Sequence, residues 1–479
     1  MTEGLKKRTA NGLIWGALNT FSTQLLMLLF GIVLGRLLSP AEYGMVGMLA
    51  IFSAIAGTLQ ESGFTAALTN LKQATHREYN AVFWFSTIMA LAIYIVLYFS
   101  APLIARFFHQ PELIPLSRLT FASLAISGAG IAHAAYMFRN MMNREKTITG
   151  IVALVSSGIV GITLAANGYS YWSLAWQQLA YICIANIARL YFVRWRPSLH
   201  IDFTPIREMF GFSSKILITN IINQINGNLL SFIFGRLLTP GAVGNYTQAA
   251  KWNNMGQSLI SGTIGQVAQP VLASIDDQHD RQLNAFRKML RFCAFLSMPV
   301  MFGLALIADF IILLLGDKWV DSVVLLRILC VSGAFMPLQS LYHNLFISHG
   351  RSDTYMWCTA IQVLVQIAVI LTFSTMGVEV MVAAYATMLI LWLGVWQSLA
   401  NRMVGLRFVD VLKDILPFML SAACCVAVAY VVTIPVHQQV LSIVLRTLTT
   451  AVLYLLIMKI SGAKIFRESI EYLISLIKR

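Results

Sequence analysis

The stretch GRLLSPAEYG at 35–44 returns as GRLLTPGAVG at 235–244, with six identities in ten, one Ser/Thr exchange and an offset of 200 residues. Gln24 and Gln224 keep the same offset. A generic helix end, with a proline to restart the chain and an arginine at the headgroups, has no reason to recur in register, so the chain reads as an internal duplication. Each copy closes the first apolar span of a block of about six. An even number of crossings then separates the copies, and both face the same side of a membrane. This is the pattern of a parallel repeat, two similar six-helix bundles related by an axis along the membrane normal.

Working outward from that repeat, the 479 residues are 58% hydrophobic and 11% charged, against about 45–50% and about 25% in soluble domains. Apolar runs near 10–34, 42–68, 80–104, 114–138, 147–166, 170–192, 210–234, 242–270, 291–315, 322–347, 354–376, 380–400, 415–434 and 439–460 are each long enough to cross a hydrocarbon core of about 30 Å. The expected fold is an all-α polytopic membrane protein with about fourteen transmembrane helices. It divides into a six-helix lobe over 1–200, a second over 201–405, and two further helices with a basic amphipathic tail over 406–479. The tail is expected to lie on the membrane surface. Turn residues mark the boundaries, among them Ser39-Pro40, Asn167-Gly168 and Thr239-Pro240, and the connections are too short to hold a soluble catalytic module.

The net charge is +14, but the cations sit between spans, so nucleic acid is not implied. Summed over alternate loops, about 23 Lys and Arg fall on the side of the N-terminus and about six on the other, which assigns both termini to the cytoplasm. The basic, then apolar N-terminus reads as a retained first helix, since no small-residue cleavage site follows it. Cys183, Cys293, Cys330, Cys358, Cys424 and Cys425 lie in apolar segments without a C-x-x-C pair, so neither a zinc site nor a disulfide framework is indicated.

The two G-R-L-L copies, LQESGFTAAL at 59–68 and YMFRNMMNREK at 136–146, in their order along about fourteen spans, resemble the polysaccharide transporter branch of the multidrug/oligosaccharidyl-lipid/polysaccharide exporter superfamily. The resemblance runs over essentially the whole chain and points to lipid-linked oligosaccharide flippases of the O-antigen, capsule and colanic-acid exporter type. It implies a two-lobed bundle in the bacterial inner membrane working by alternating access. The cargo it implies is an undecaprenyl-diphosphate-linked glycan destined for lipopolysaccharide, capsule or exopolysaccharide, with polymerase or export machinery as further partners.

The residues add their own argument. A charged, sugar-bearing lipid needs a polar and preferably cationic path, and such a path should appear as polar stripes on apolar helices. Thr247, Lys251, Asn254, Ser258 and Ser261 follow steps of four, three, four and three, which places them on one helical face. Asn220, Gln224, Gly227 and Ser231 repeat the pattern one span earlier, with Lys215 and Asn223 nearby, and Asn19, Thr23 and Gln24 mark the first span. Lys251 is the most informative, because a lysine near the bilayer centre costs about 2.5–3.5 kcal/mol on insertion scales and must face a partner or a wet cavity. Facing the cavity, it meets a diphosphate as a point charge; the alternative is a lysine that snorkels or pairs with a buried carboxylate. Arg36 and Arg236, equivalent in the two copies, line an outer mouth or anchor at headgroups. Glu61, read as lying inside span two, is the candidate for coupling to H+ or Na+, or for pairing with Lys251. Trp176 and Trp252 are candidates for stacking on sugar, while Trp15, Trp84, Trp172, Trp319 and Trp357 fit an interfacial belt. The histidines are dispersed, and neither a cofactor nor a metal site is expected.

Two other functions compete. An ion-coupled multidrug exporter handling drug cations favours cavity carboxylates, whereas this chain offers Lys251, Arg36 and Arg236. A membrane glycosyltransferase or polymerase needs paired carboxylates or a metal motif on a large loop. The densest acidic cluster, Asp276, Asp277 and Asp280, reads instead as a solvated loop. A peptidoglycan-precursor flippase of the same fold remains open at this stage.

Overall fold

The computed structural model describes residues 3–71, 74–275, 279–436, 438–468 and 471. Among them the chain forms α-helices joined by short turns. Its contacts divide at Gly244/Asn245 into two compact units.

The first unit holds α1 (Glu3–Leu37), α2 (Pro40–Glu61), α3 (Phe64–Asn70), α4 (His76–Phe108), α5 (Leu113–Arg139), α6 (Asn143–Ala166), α7 (Trp172–Phe192) and α8 (Thr204–Leu237). Helix α9 (Pro240–Ser274) begins at its edge. The repeat read from sequence fixes helix ends in register. α1 stops at Leu37 and α8 at Leu237, and α2 and α9 restart at Pro40 and Pro240. Proline suits a first helical position, where its missing N–H is an orphan in any case. Ser39 caps α2 in a reciprocal box: its Oγ accepts from the Glu42 amide at 3.4 Å, and Glu42 Oε2 accepts from the Ser39 amide at 2.5 Å. Thr239 Oγ1 accepts from the Ala242 amide at 3.4 Å, a simpler version of the same cap.

These restarts touch. A Cβ added at Gly44 would stand 1.8 Å from the Pro240 carbonyl oxygen, and one added at Gly244 would stand 1.7 Å from that of Pro40. The last glycine of each copy therefore admits the backbone of the other, the close approach that small residues permit between membrane helices. Both positions fall within the first unit.

Span two is not continuous. Ser62 (φ 47°) and Gly63 (φ 70°) are left-handed, ending α2 before the seven-residue α3 begins. Buried Gln60 fastens that end to α5, donating to the Leu124 carbonyl at 3.1 Å and accepting from Ser127 at 2.7 Å. Glu61, one residue on, is exposed. The linker after α7 is strapped onto the start of α4. Trp195 Nε1 donates to His76 at 2.9 Å, Asn80 donates to the His200 carbonyl at 2.6 Å, Trp84 donates to the Ser198 carbonyl at 2.7 Å, and Arg77 pairs with Asp202 at 2.7 Å. Hydrogen bonds from Thr204 and then Arg77 hold the Asp202 carboxyl well below the usual carboxylate range.

The second unit continues through α9, α10 (His279–Leu306), α11 (Ala308–Leu315), α12 (Asp321–Gly333), α13 (Met336–Ser348), α14 (Ser352–Thr372), α15 (Val378–Val404), α16 (Phe408–Thr433) and α17 (Gln439–Ile460). The apolar runs at 291–315 and 322–347 are each split in two, at Ile307 and at Ala334–Phe335, the latter two residues before Pro337. The two helices beyond the repeat are fastened to α10: Tyr454 donates to the Phe295 carbonyl at 3.0 Å, and Arg287 grips the buried Asp414 carboxylate at 2.7 and 3.2 Å. Helical residues 464–468, with Ile465 buried, dock on the same helix through Phe466, whose ring lies 6.4 Å from that of Phe295, and through a Lys288–Glu468 pair at 2.6 Å. The tail is therefore held by protein as far as it is described, where the sequence suggested a membrane-surface helix.

All fourteen apolar runs thus return as helices or helix pairs. Eleven of the described helical stretches are long and apolar enough to cross a membrane. Helices α7, α8 and α9 have the length without that apolarity. The compact division at Gly244 differs from the repeat boundary near 200 because α8 packs on α2 and α4. Trp319 is fully buried and so takes no part in an interfacial belt.

Candidate functional site

Two of the three helices of lower apolarity, α8 and α9, carry most of the polar residues singled out in the sequence, and α1 carries Asn19, Thr23 and Gln24. On α9, Ala249, Trp252, Ile260, Ile264 and Ala268 are buried, whereas Asn254 and Ser258 are exposed and Thr247, Lys251 and Ser261 are half-buried. The helix therefore has a packed face, which also buries Gln248 and Asn253, and a polar face that is only partly covered. Lys251 makes no hydrogen bond or ion pair among the described residues, and Asn254 accepts from Gln257 at 2.6 Å. Trp252 departs from expectation. It lies in the packed face, only 7% exposed, because one residue of helix turns a side chain by about 100° from Lys251. On α8, Leu229, Leu230, Ile233 and Phe234 are buried, while Asn220 and Gly227 are exposed and Gln224 and Ser231 half-buried. The side chain of Lys215 lies outside the described residues, as do Asp276 and Asp277.

Arg36 and Arg236 occupy the last turns of α1 and α8, both exposed, as the repeat requires. Arg236 Nη1 lies 2.6 Å from Nδ1 of His109, and its guanidinium stands 5.5 Å from the Phe107 ring. Glu61 is the clearest correction: it sits at the exposed end of α2 rather than inside a span, and its side chain makes no ion pair among the described residues.

Sequence reasoning missed a cavity in the first unit. A space of about 220 Å³ opens among α1, α5, α6 and α7, lined on its polar side by Asn19, Thr23, Lys146, Thr149, Tyr181 and Arg189, with no carboxylate in its lining among the described residues. Asn19 and Thr23 belong to the polar set read on span one, and half-buried Gln24 follows them. Lys146, in the first turn of α6, was read only as a loop-side cation obeying the positive-inside rule, and Arg189, in the last turn of α7, drew no reading at all. Arg189 is held in place: its Nη1 donates to Asn186 Oδ1 at 3.0 Å, and Asn186 Nδ2 donates to the Ile126 carbonyl at 2.7 Å. Gly130 makes room for this pair, since a Cβ there would stand 2.0 Å from Asn186 Oδ1 and 2.7 Å from Arg189 Nη1. The signal available in sequence was the Asn186–Arg189 spacing of three, one helical face, on a span that also carries Gln177 and Gln178.

Among the described residues, no group of three or more His, Cys, Asp or Glu is arranged to hold a metal ion. The six cysteines are free, and four of them are buried.

A two-unit bundle of membrane-crossing helices, with polar faces on its least apolar members, is the build of a multi-pass membrane transporter. Solved structures of that architecture align with the chain. The lipid II flippase MurJ in an inward closed conformation matches with a TM-score of 0.75 at 14% identity, over 93% of this chain and 99% of that one. An inward-facing multidrug resistance transporter of the MATE family matches at 0.62 and 14%, over 85% and 98%. The chain belongs to the family described as "Polysaccharide biosynthesis protein", which it matches over residues 33–324. Its relatives include the lipopolysaccharide biosynthesis protein WzxC of Escherichia coli K12, 25% identical with 73% of this chain and 72% of the relative covered. The teichuronic acid biosynthesis protein TuaB of Bacillus subtilis is 22% identical over 88% of each, and the succinoglycan biosynthesis transport protein ExoT of Rhizobium meliloti is 22% identical over 73% and 71%.

Proposed function

We propose that the protein is a flippase that carries an undecaprenyl-diphosphate-linked oligosaccharide across the bacterial inner membrane by alternating access, supplying surface polysaccharide synthesis. Membership of a polysaccharide biosynthesis family supports this reading, as does the kinship with a succinoglycan transport protein. The observation that carries it is the partly covered polar face of α9, where Lys251 has no acidic partner among the described residues. A membrane-embedded cation without a carboxylate is costly unless water or an anionic ligand meets it. In this reading both termini lie in the cytoplasm, by the loop distribution of Lys and Arg. Lys251 meets the diphosphate, Asn254, Asn220 and Gln224 hydrogen-bond the polar cargo, and Arg36 and Arg236 attract it at the outer ends of α1 and α8. Coupling to H+ or Na+ through Glu61 is part of the proposal, with the carboxylate acting from the exposed end of α2. Lys251, without an acidic partner among the described residues, favours anionic cargo over the drug-cation alternative.

Deletion in the host, followed by extraction of lipid-linked intermediates, tests the reading. Accumulated repeat units facing the cytoplasm support it; an unchanged glycan profile with new drug sensitivity overturns it in favour of a drug exporter. Lys251→Ala is expected to abolish export at normal protein abundance in the same host, and full export by that variant removes Lys251 from the cargo path.

A further inference from the structure

The cavity among α1, α5, α6 and α7 has the makings of an anion site. Lys146 and Arg189 both line it, and neither makes an ion pair among the described residues; Lys146 instead lies 5.5 Å from the Phe138 ring. Thr149, a third lining residue, is only 4% exposed, and its hydroxyl has no hydrogen-bond partner among the described residues. Asn19 stands opposite, its Oδ1 3.7 Å from where a Cβ on Gly150 would be. A buried hydroxyl left unmatched is disfavoured by about 1–3 kcal/mol. Two cations in a wall with no carboxylate among the described residues give the cavity a potential that favours an anion. Arg189 is moreover fixed rather than free: Asn186 holds its Nη1, Ile126 fixes Asn186, and Gly130 leaves both the space.

We infer that this cavity is a docking site for the phosphate groups of a prenyl diphosphate lipid, with Arg189 and Lys146 as the charged donors, the Thr149 hydroxyl as a neutral one, and Asn186 as the residue that positions Arg189. This rests on the flippase reading for the identity of the lipid. The volume of about 220 Å³ is about seven times the share of liquid taken by one water molecule. That is room for a diphosphate, the part that all such carriers share. A planar guanidinium suits the paired oxygens of a phosphate, and the ammonium adds a second point charge.

The test uses the full chain in phosphatidylcholine nanodiscs, with farnesyl diphosphate as probe and farnesol as its uncharged control. The wild-type protein is expected to bind the diphosphate, more weakly as salt rises, and not the alcohol. Arg189→Gln and Lys146→Gln should each weaken binding by about ten-fold or more, a charge-assisted hydrogen bond being lost in each case. Arg189→Lys should recover part of the loss, and Asn186→Ala should weaken binding with both cations still present. Lys459→Gln, which removes an exposed cation on α17, should change nothing. Thermal unfolding of each variant confirms that it is folded. Unchanged affinity in the folded Arg189→Gln/Lys146→Gln double variant overturns the assignment, as does equal competition by phosphatidylglycerol, which would mark a general site for acidic headgroups. If the site fails while deletion in the host still accumulates lipid-linked repeat units, the flippase reading stands without it. If the wild type binds no prenyl diphosphate and deletion changes no lipid-linked intermediate, both fall.

Discussion

Two groups of cations near helix ends, one in each unit, are built in opposite ways. In the second unit, Arg287 pairs with Asp414 at 2.7 Å and Asp410 at 3.7 Å, Arg291 lies 3.8 Å from Asp414, and Lys288 pairs with Glu468. Every cation there has a carboxylate, and the result is mechanical: α10, α16 and the chain after α17 are tied together. In the first unit, Lys146 and Arg189 share a cavity with no carboxylate among the described residues, and Arg189 is oriented by a neutral amide. Matched charges spend their interaction inside the fold, whereas unmatched ones keep it for something that arrives. By composition the two groups look alike, and only the placement of acids separates a clamp from a receptor.

The largest expected effect falls on the clamp. Asp414→Asn leaves Arg287 and Arg291 without their buried partner and should destabilise the protein by about 3–5 kcal/mol, read as a lower unfolding temperature in detergent or as lost protein. Removing Arg189 should lower that temperature by less, because one hydrogen bond to Asn186 and no ion pair is broken. If the two substitutions proved equally destabilising, the contrast between clamp and receptor would fail. Gly244→Ala probes the contact between the repeat copies. The new methyl meets backbone rather than a flexible side chain, so about 1–3 kcal/mol of overpacking is expected, with a similar effect for Gly44→Ala. An unaltered unfolding temperature in both would mean the two restarts separate freely.

The smallest effect is in the tail. Lys288, chiefly by its hydrogen bond, lowers the Glu468 carboxyl below its ordinary value. A depressed carboxylate stabilises docking above the ordinary carboxylate range, and that contribution is lost as pH falls through the lowered value. Proteolytic release of the tail should therefore stay slow at neutral pH and rise only in acid. Glu468→Gln should make it fast at every pH, and a rate independent of both pH and this substitution would show that apolar contacts such as Phe466 on Phe295 hold the segment.

The amino-acid sequence alone determined the membrane class, the helical runs and the duplication, because lipid imposes length and apolarity on every crossing and the G-R-L-L copies carry helix stop and start chemistry locally. It also determined the polar faces of α8 and α9, since helical period needs no knowledge of neighbours. Tertiary structure decided what period and composition leave open. Glu61 stands at the end of α2 because two left-handed residues stop the helix immediately after it. Trp252 packs inward because its face of α9 is the covered one. Lys146 and Arg189, 43 positions apart along the chain, share one cavity because α6 and α7 are antiparallel neighbours beside α1 and α5. A charge's role depends on which atoms surround it in space, and those atoms come from helices that the local sequence does not name.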